Sequence, residues 1–272
     1  ISVVQRNDGS TDNAAQTNNA TLIQTFDLKN DCNEADDGDN NAECDADVVN
    51  NIGFGLTGIE QFNRVQASSS DVATIFQNNE VDGNEAEDIP GIRQVITADN
   101  TCDEIGVGTN EADCSVEFTE NIIDEIRQEN EVTDAGDGTS IFQDNRGVVS
   151  QLIDAENNCD ETGVGGGGND AVCRIGNLVD NFLGPVDQDN SATGADNSVA
   201  DQDNNVDVSQ SIAAQNDCNG TGNSAACETG TGFDTVNFID DITQDSISDL
   251  TGDAFSNQLN DIAIDQNAEL VN

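Results

Sequence analysis

Apolar and polar residues alternate along this chain in short runs, and each run is centred on a glutamine. Three glutamines recur in each of five units: Gln5, Gln16 and Gln24; Gln61, Gln77 and Gln94; Gln128, Gln143 and Gln151; Gln188, Gln202 and Gln210; Gln244, Gln258 and Gln266. Two residues before the first glutamine stand Val3, Ile59, Ile126, Val186 and Ile242, and two after it stand Asn7, Asn63, Asn130, Asn190 and Ser246. The second glutamine is followed at the same distance by Asn18, Asn79, Asn145, Asn204 and Asn260, and the third by Phe26, Ile96, Ile153, Ile212 and Ala268. Intervening positions such as Asp144, Asp189, Asp203 and Asp245 are acidic or polar. A period of two over four to eight residues predicts half-buried β-strands. The glutamines therefore share the inward face with the apolar residues.

An inward amide must find partners, because an unpaired buried amide costs several kcal/mol. Stacking identical amides at the strand spacing satisfies each from its neighbours above and below, as in Asn/Gln ladders. Such stacking explains why the same phrase recurs in a fixed register. The prediction is an all-β repeat protein, a β-solenoid running as one array over 1–272, with units at about 1–44, 45–114, 115–173, 174–227 and 228–272.

A cysteine lies eight residues beyond the third glutamine in the four units that reach that far. With the next cysteine each forms a local pair, giving expected disulfides Cys32–Cys44, Cys102–Cys114, Cys159–Cys173 and Cys218–Cys227. Disulfides imply an oxidising, extracellular compartment. The alternative of a zinc site lacks histidine and CxxC spacing. One loop, from Asp217 to Glu228, half matches a calcium loop through Asp217, Asn219, Thr221 and Glu228. Calcium is thus the one ion suggested, and no cofactor is required. Asn19 and Asn219 head N-x-T sequons. After the second cysteines, "IGNLVDNFLGPV" sets Ile175, Leu178, Val179, Phe182 and Leu183 on one helical face, and "FTENIIDEI" does the same with Phe118, Ile122, Ile123 and Ile126. Short helices flanking the strands are expected there, although "NNIGFGLTGI" carries three glycines at the corresponding place.

Charge narrows the function. Fifty-five acidic residues against seven basic ones give −48, which disfavours nucleic acid and anionic membrane as partners. Histidine, the commonest general base and metal ligand near neutrality, is absent, and nothing singles out a catalytic carboxylate pair, so the expectation is not an enzyme. No apolar run is long enough for a membrane-spanning helix. The abundance of aspartate with almost no lysine resembles proteins of salt-loving microbes. At about 1 M salt the Debye length is roughly 3 Å and surface repulsion is largely screened.

The start at Ile1 suggests a secreted, processed form. The terminal segments, marked by Val3 and Val4 at one end and Ile264 and Leu270 at the other, are strand-like and carry no polar cap. The phrases "QTNNATLIQ", "QDNRGVVSQ", "QDNNVDVSQ" and "QLNDIAIDQ" resemble the Q-x-N-x5-Q core of curlin-type subunits of extracellular amyloid-like fibres. That resemblance covers about a sixth of the chain and implies a stacked β-solenoid that assembles with itself; the units here are far longer and carry cysteine loops. The expected function is an extracellular structural subunit that polymerises head to tail into a filament for biofilm, adhesion or a surface coat. The alternatives are a pilin-like subunit that donates a strand to its neighbour, or a monomeric ligand-binding solenoid.

Overall fold

In a computed structural model the described residues are 3–10, 13–34, 40–51, 58–66, 74–81, 91–104, 110–161, 170–175, 178–194, 196–220, 224–229 and 234–271. They form eighteen strands. Counted from each first-glutamine strand, so that the segment after the second cysteine closes a unit and does not open the next as the division at 44, 114, 173 and 227 has it, the first unit supplies β1 (Val3–Gly9), β2 (Asn13–Asn19), β3 (Leu22–Glu34) and β4 (Asn40–Asn51), and the second β5 (Gly58–Gln66), β6 (Thr74–Val81), β7 (Ile92–Glu104) and β8 (Asn110–Ile123). In the third come β9 (Glu125–Ala135), β10 (Ser140–Glu161), β11 (Asp170–Ile175) and β12 (Leu178–Leu183). The fourth holds β13 (Val186–Gly194), β14 (Val199–Gly220), β15 (Ser224–Thr229) and β16 (Asp234–Ile239), and the fifth β17 (Ile242–Leu250) and β18 (Phe255–Val271).

Each strand pairs in parallel with its equivalent in the next unit, and three sheets result. The first runs β1-β5-β9-β13-β17. The second runs β2-β6-β10-β14-β18, with β3 and β7 continuing it beside β10. The third is built from β4, β8, β11, β12, β15 and β16. Register follows the repeat, so Gln5 lies opposite Gln61, Gln61 opposite Gln128, Gln128 opposite Gln188, and Gln188 opposite Gln244. Parallel pairing needs long connections, and here the intervening strands on the other two sheets provide them.

Alternation fixes which face is inward. Along β14 every second residue from Ala200 to Asn216 is buried while those between are not. Ile59, Ile126, Leu183, Val186 and Val208 meet in one apolar cluster, and Val65, Ile75, Val132 and Ile141 in another. Outward, aromatic residues stack in columns. Phe76 and Phe142 lie 4.8 Å apart between centroids, and Phe182 and Phe238 5.3 Å.

The expected helices are not there: among the described residues there is none. The segment assigned to Ile175, Leu178, Val179, Phe182 and Leu183 is strand in β11 and β12, and that with Phe118, Ile122 and Ile123 is strand in β8, with Ile126 following in β9. Short apolar runs satisfy both periods, and length and pairing arbitrate. Val179, Asn181 and Leu183 point inward, Asp180 and Phe182 are only part-buried, and the segment pairs with Thr119–Ile123 and Asp234–Ile239. Residues 52–57 of "NNIGFGLTGI" lie outside the described residues.

Where the chain passes from the third sheet to the first, Gly184 donates to the Ile123 carbonyl at 2.7 Å. A Cβ there would meet the Asp124 carbonyl oxygen at 1.9 Å. Gly184→Ala is therefore expected to lower stability by about 1–3 kcal/mol, the usual cost of overpacking against backbone. Thermal unfolding checks this, and an unchanged midpoint would show that the crossing yields.

Candidate assembly faces built from amide ladders

The inward amides form continuous hydrogen-bonded columns. In the first sheet Gln61 Nε2 donates to Gln5 Oε1 at 2.8 Å, Gln128 to Gln61 at 2.9 Å, Gln188 to Gln128 at 2.7 Å and Gln244 to Gln188 at 2.9 Å. In the second, Gln77, Gln143, Gln202 and Gln258 donate successively to Gln16, Gln77, Gln143 and Gln202, and Gln94, Gln151, Gln210 and Gln266 to Gln24, Gln94, Gln151 and Gln210. Every glutamine ladder bond points toward the preceding unit.

The asparagine columns point the other way. Asn7 Nδ2 donates to Asn63 Oδ1, Asn63 to Asn130 and Asn130 to Asn190, each at 3.0 Å. Asn18, Asn79, Asn145 and Asn204 donate in the same direction to Asn79, Asn145, Asn204 and Asn260. The two asparagine columns are also cross-linked, Asn63 to Asn79 at 3.0 Å, Asn130 to Asn145 at 2.9 Å and Asn190 to Asn204 at 3.0 Å. Opposed polarity lets the column dipoles cancel. In the fifth unit Ser246 takes the asparagine place, accepting from Asn204 at 3.2 Å and donating to Asn260 at 3.3 Å.

Two further asparagine columns escaped the reading of the sequence. Asn30, Asn100, Asn157 and Asn216 stack in order, as do Asn121, Asn181 and Asn237. The first had a legible signal, since asparagine stands two residues before the first cysteine in all four units. Asn121 and Asn181 of the second lie inside the two segments whose spacing also fits a helical face.

Each glutamine Nε2 has a second proton, and it ties one sheet to the next through a carbonyl oxygen. Gln128 donates to Arg146 O, Gln188 to Asn205 O and Gln244 to Asp261 O, at 2.9–3.0 Å. At the two end faces this double pattern is incomplete. On the first face, Gln5 Nε2 reaches only Asn19 O and Gln16 Nε2 only Arg64 O, so each lacks a ladder acceptor. On the last face, Gln244 Oε1 is shielded from solvent and has no partner.

Val3 is half-buried against the apolar cluster, while Val4 is exposed. Ile264 and Leu270 are exposed on β18, as is every other residue of that strand. Burial is complete between the faces: Gln61, Gln128, Gln188 and Gln202 are all fully inaccessible.

Outward, carboxylates stack as well. Asp144 lies opposite Asp203, and Glu129, Asp189 and Asp245 follow one another in a column. Burial, then Asp203, raises the Asp144 pKa above the ordinary aspartate range, with Arg146 opposing. Burial, then Asp245 and Glu129, does the same to Asp189, and burial followed by Asp201 to Asp203. A groove of about 260 Å³ runs over this surface between Phe76, Phe142, Asp144, Asp201 and Asp203.

In the suggested calcium loop Asp217 is exposed, and the side chains of Asn219, Thr221 and Glu228 lie outside the described residues. Among the described residues no group of three or more acidic, cysteine or histidine side chains is placed to hold a metal. Of the sequons, Asn19 is exposed on β2, and the Asn219 side chain lies outside the described residues.

The first cysteines stack, Cys32 opposite Cys102, Cys102 opposite Cys159 and Cys159 opposite Cys218, and the second cysteines Cys44, Cys114, Cys173 and Cys227 stack likewise. Cys159 Sγ lies 3.6 Å from the carbonyl oxygen of Val172, the residue before Cys173. The side chains of the second cysteines are outside the described residues. Compared with protein-family models, with curated proteins and with solved structures, this chain matches none.

Proposed function

We propose that this chain is a β-solenoid and an extracellular structural subunit, one that polymerises head to tail with copies of itself into a filament. The observation that carries the reading is the directed, incomplete pattern of the amide ladders at the two end faces. An unpaired acceptor at Gln244 and a donor at Gln5 that lacks its ladder acceptor belong to the same column. Placing the last face of one subunit under the first face of another brings Gln5 into column with Gln244, whose oxygen turns out of its shielded position to accept the bond used at every interior step. Face-to-face pairing of two last faces would set glutamine oxygens against each other, so the contact is heterologous and generates an open fibre. The exposed edge and apolar residues of β18 supply strand pairing and burial at the same junction. Local disulfides joining the two cysteine columns, Cys32–Cys44 and its equivalents, would lock each unit and suit an oxidising exterior. Adhesion, a biofilm matrix or a surface coat are the roles this assembly serves.

Electron microscopy of the purified chain in salt tests the proposal. Five strands per subunit on the first sheet, at about 4.8 Å each, give an expected axial rise of about 24 Å in polar filaments. Discrete monomers at every salt concentration, or filaments with two-fold axes across their length, would reject it and favour a monomeric binding solenoid.

A further inference from the structure

The outward columns carry a charge pattern that specifies how two subunits meet. Cations in this chain are few, and most of them stand in line with a carboxylate on the adjacent strand; Arg93, between Ile23 and Ser150, does not. Lys29 lies directly opposite Asp99 and its Nζ is 2.9 Å from Asp99 Oδ2. Arg64 lies directly opposite Glu131 and pairs with it through Nε. Arg127 lies in line between Glu60 and Asp187, but it pairs sideways with Glu129 at 3.3 Å, and its guanidinium covers the Phe62 ring at 5.3 Å. An in-line ion pair across one strand step is thus a device this fold already uses.

Arg6, at the open first face, also lacks an in-line carboxylate within its own subunit. Its in-line neighbour is Phe62, after which the column continues through Glu129, Asp189 and Asp245. It pairs sideways with Asp8 at 3.0 Å, and both side chains are more than half exposed. An exposed pair of this kind contributes little and exchanges readily. Three carboxylates one above another end at Asp245, on the last face, and the column repeats from Arg6, on the first.

We propose that Arg6 determines the register of the subunit junction by closing in line on Asp245 of a second copy of this chain. This rests on the head-to-tail reading above and adds to it the residue pair that selects one register. Continuing the observed registers by one step sets Val4 over Thr243, Arg6 over Asp245 and Asp8 over Ile247 in the first sheet. In the second sheet the same step sets Asp27 over Glu269 and Lys29 over Val271. Among these positions Arg6 and Asp245 are the one pair of opposite charges directly in line. A slip of two residues would instead place Arg6 over Ile247 or Thr243 and take the glutamines out of column. Burial, then Asp245 and Glu129, raises the Asp189 pKa, with Arg127 opposing, so like charges do meet along this column. Opposite charges in register steer association and exclude wrong pairings more than they add raw affinity.

The test is the critical concentration for filament formation of the full chain, read by sedimentation and electron microscopy in low salt. Arg6→Glu and Asp245→Arg should each raise it about tenfold or more, because each sets like charges in line. The double variant, Arg6→Glu with Asp245→Arg, should return it to within about twofold of the parent. Thermal unfolding of Arg6→Glu as a subunit should be unchanged, since the position is exposed, and Asp245→Arg should unfold no earlier than the parent, since it takes a carboxylate from beside Asp189. If the parent assembles and either single variant assembles as well as it does, the register is wrong while the head-to-tail reading stands. If both singles fail and the double does too, the pair is not in contact and the inference is overturned. A parent that forms no filaments overturns the head-to-tail reading and this inference with it.

Discussion

Asn145→Leu is expected to destabilise the fold by about 3–6 kcal/mol, measured by denaturant unfolding of the subunit. The side chains share their branching and heavy-atom count, so no cavity is left; the loss is of hydrogen bonds, with the bulkier methyls adding crowding. Asn145 is fully inaccessible. Its Nδ2 donates to Asp189 O at 3.1 Å, Asn190 Oδ1 at 3.0 Å and Asn204 Oδ1 at 2.9 Å, and its Oδ1 accepts from Asn79 and Asn130. A leucine orphans two or more of these groups where water cannot replace the partner, and each costs about 1–3 kcal/mol. Low dielectric and mutual polarisation along the column act in the same direction. Gln258→Leu, at a residue exposed on β18, is the comparison. There water reaches the freed groups and the loss of subunit stability should be small. Equal losses at the two positions would mean that the amides contribute through strand propensity and not through the ladders.

That contrast also shows how far the fold could be read from the chain. The glutamine columns were legible because a residue that is costly to bury recurs with one parity beside Ile59, Ile126 and Val186, and only stacking satisfies it. Register followed, since a one-residue slip would turn every amide outward. The third sheet was not legible. Val179, Phe182 and Leu183 fit a helical face and a strand equally, and the deciding fact, in-line pairing of Asn181 with Asn121 and Asn237, is a contact between residues 56 to 60 apart. Ladder polarity was equally out of reach: composition gives an amide column but not which end of it carries the free oxygen. Gln244 Oε1 has no counterpart in any sequence pattern.

The stacked carboxylates give the second large effect, a stability that rises as neutral solutions are made mildly acidic. In the folded chain the pKa values of Asp144, Asp189 and Asp203 are raised, through burial first and then through neighbouring carboxylates. An unfolded aspartate titrates near about 3.9. The folded state therefore holds these protons more tightly than the unfolded one. Below the unfolded value both states are protonated and the columns carry no penalty. As pH climbs through the raised folded values the penalty appears, and it is complete at neutrality. Most proteins lose stability on the same descent from neutral pH, because their carboxylates are paired with cations; here 55 acids share seven basic residues. The melting temperature should rise as pH falls from 7 toward about 4, the unfolded aspartate range, at an ionic strength of about 0.01 M, where the Debye length is roughly 30 Å. At about 1 M salt that length falls to roughly 3 Å and the exposed part of the repulsion disappears, so the neutral-pH melting temperature should rise and the gain from acid should shrink. Asp203→Asn should flatten the pH dependence at low salt by removing one charge from beside Asp144 and Asp201. A melting temperature that falls steadily from pH 7 to about pH 4 would mean that cations from solution already neutralise the columns, with salt then leaving the midpoint where it was.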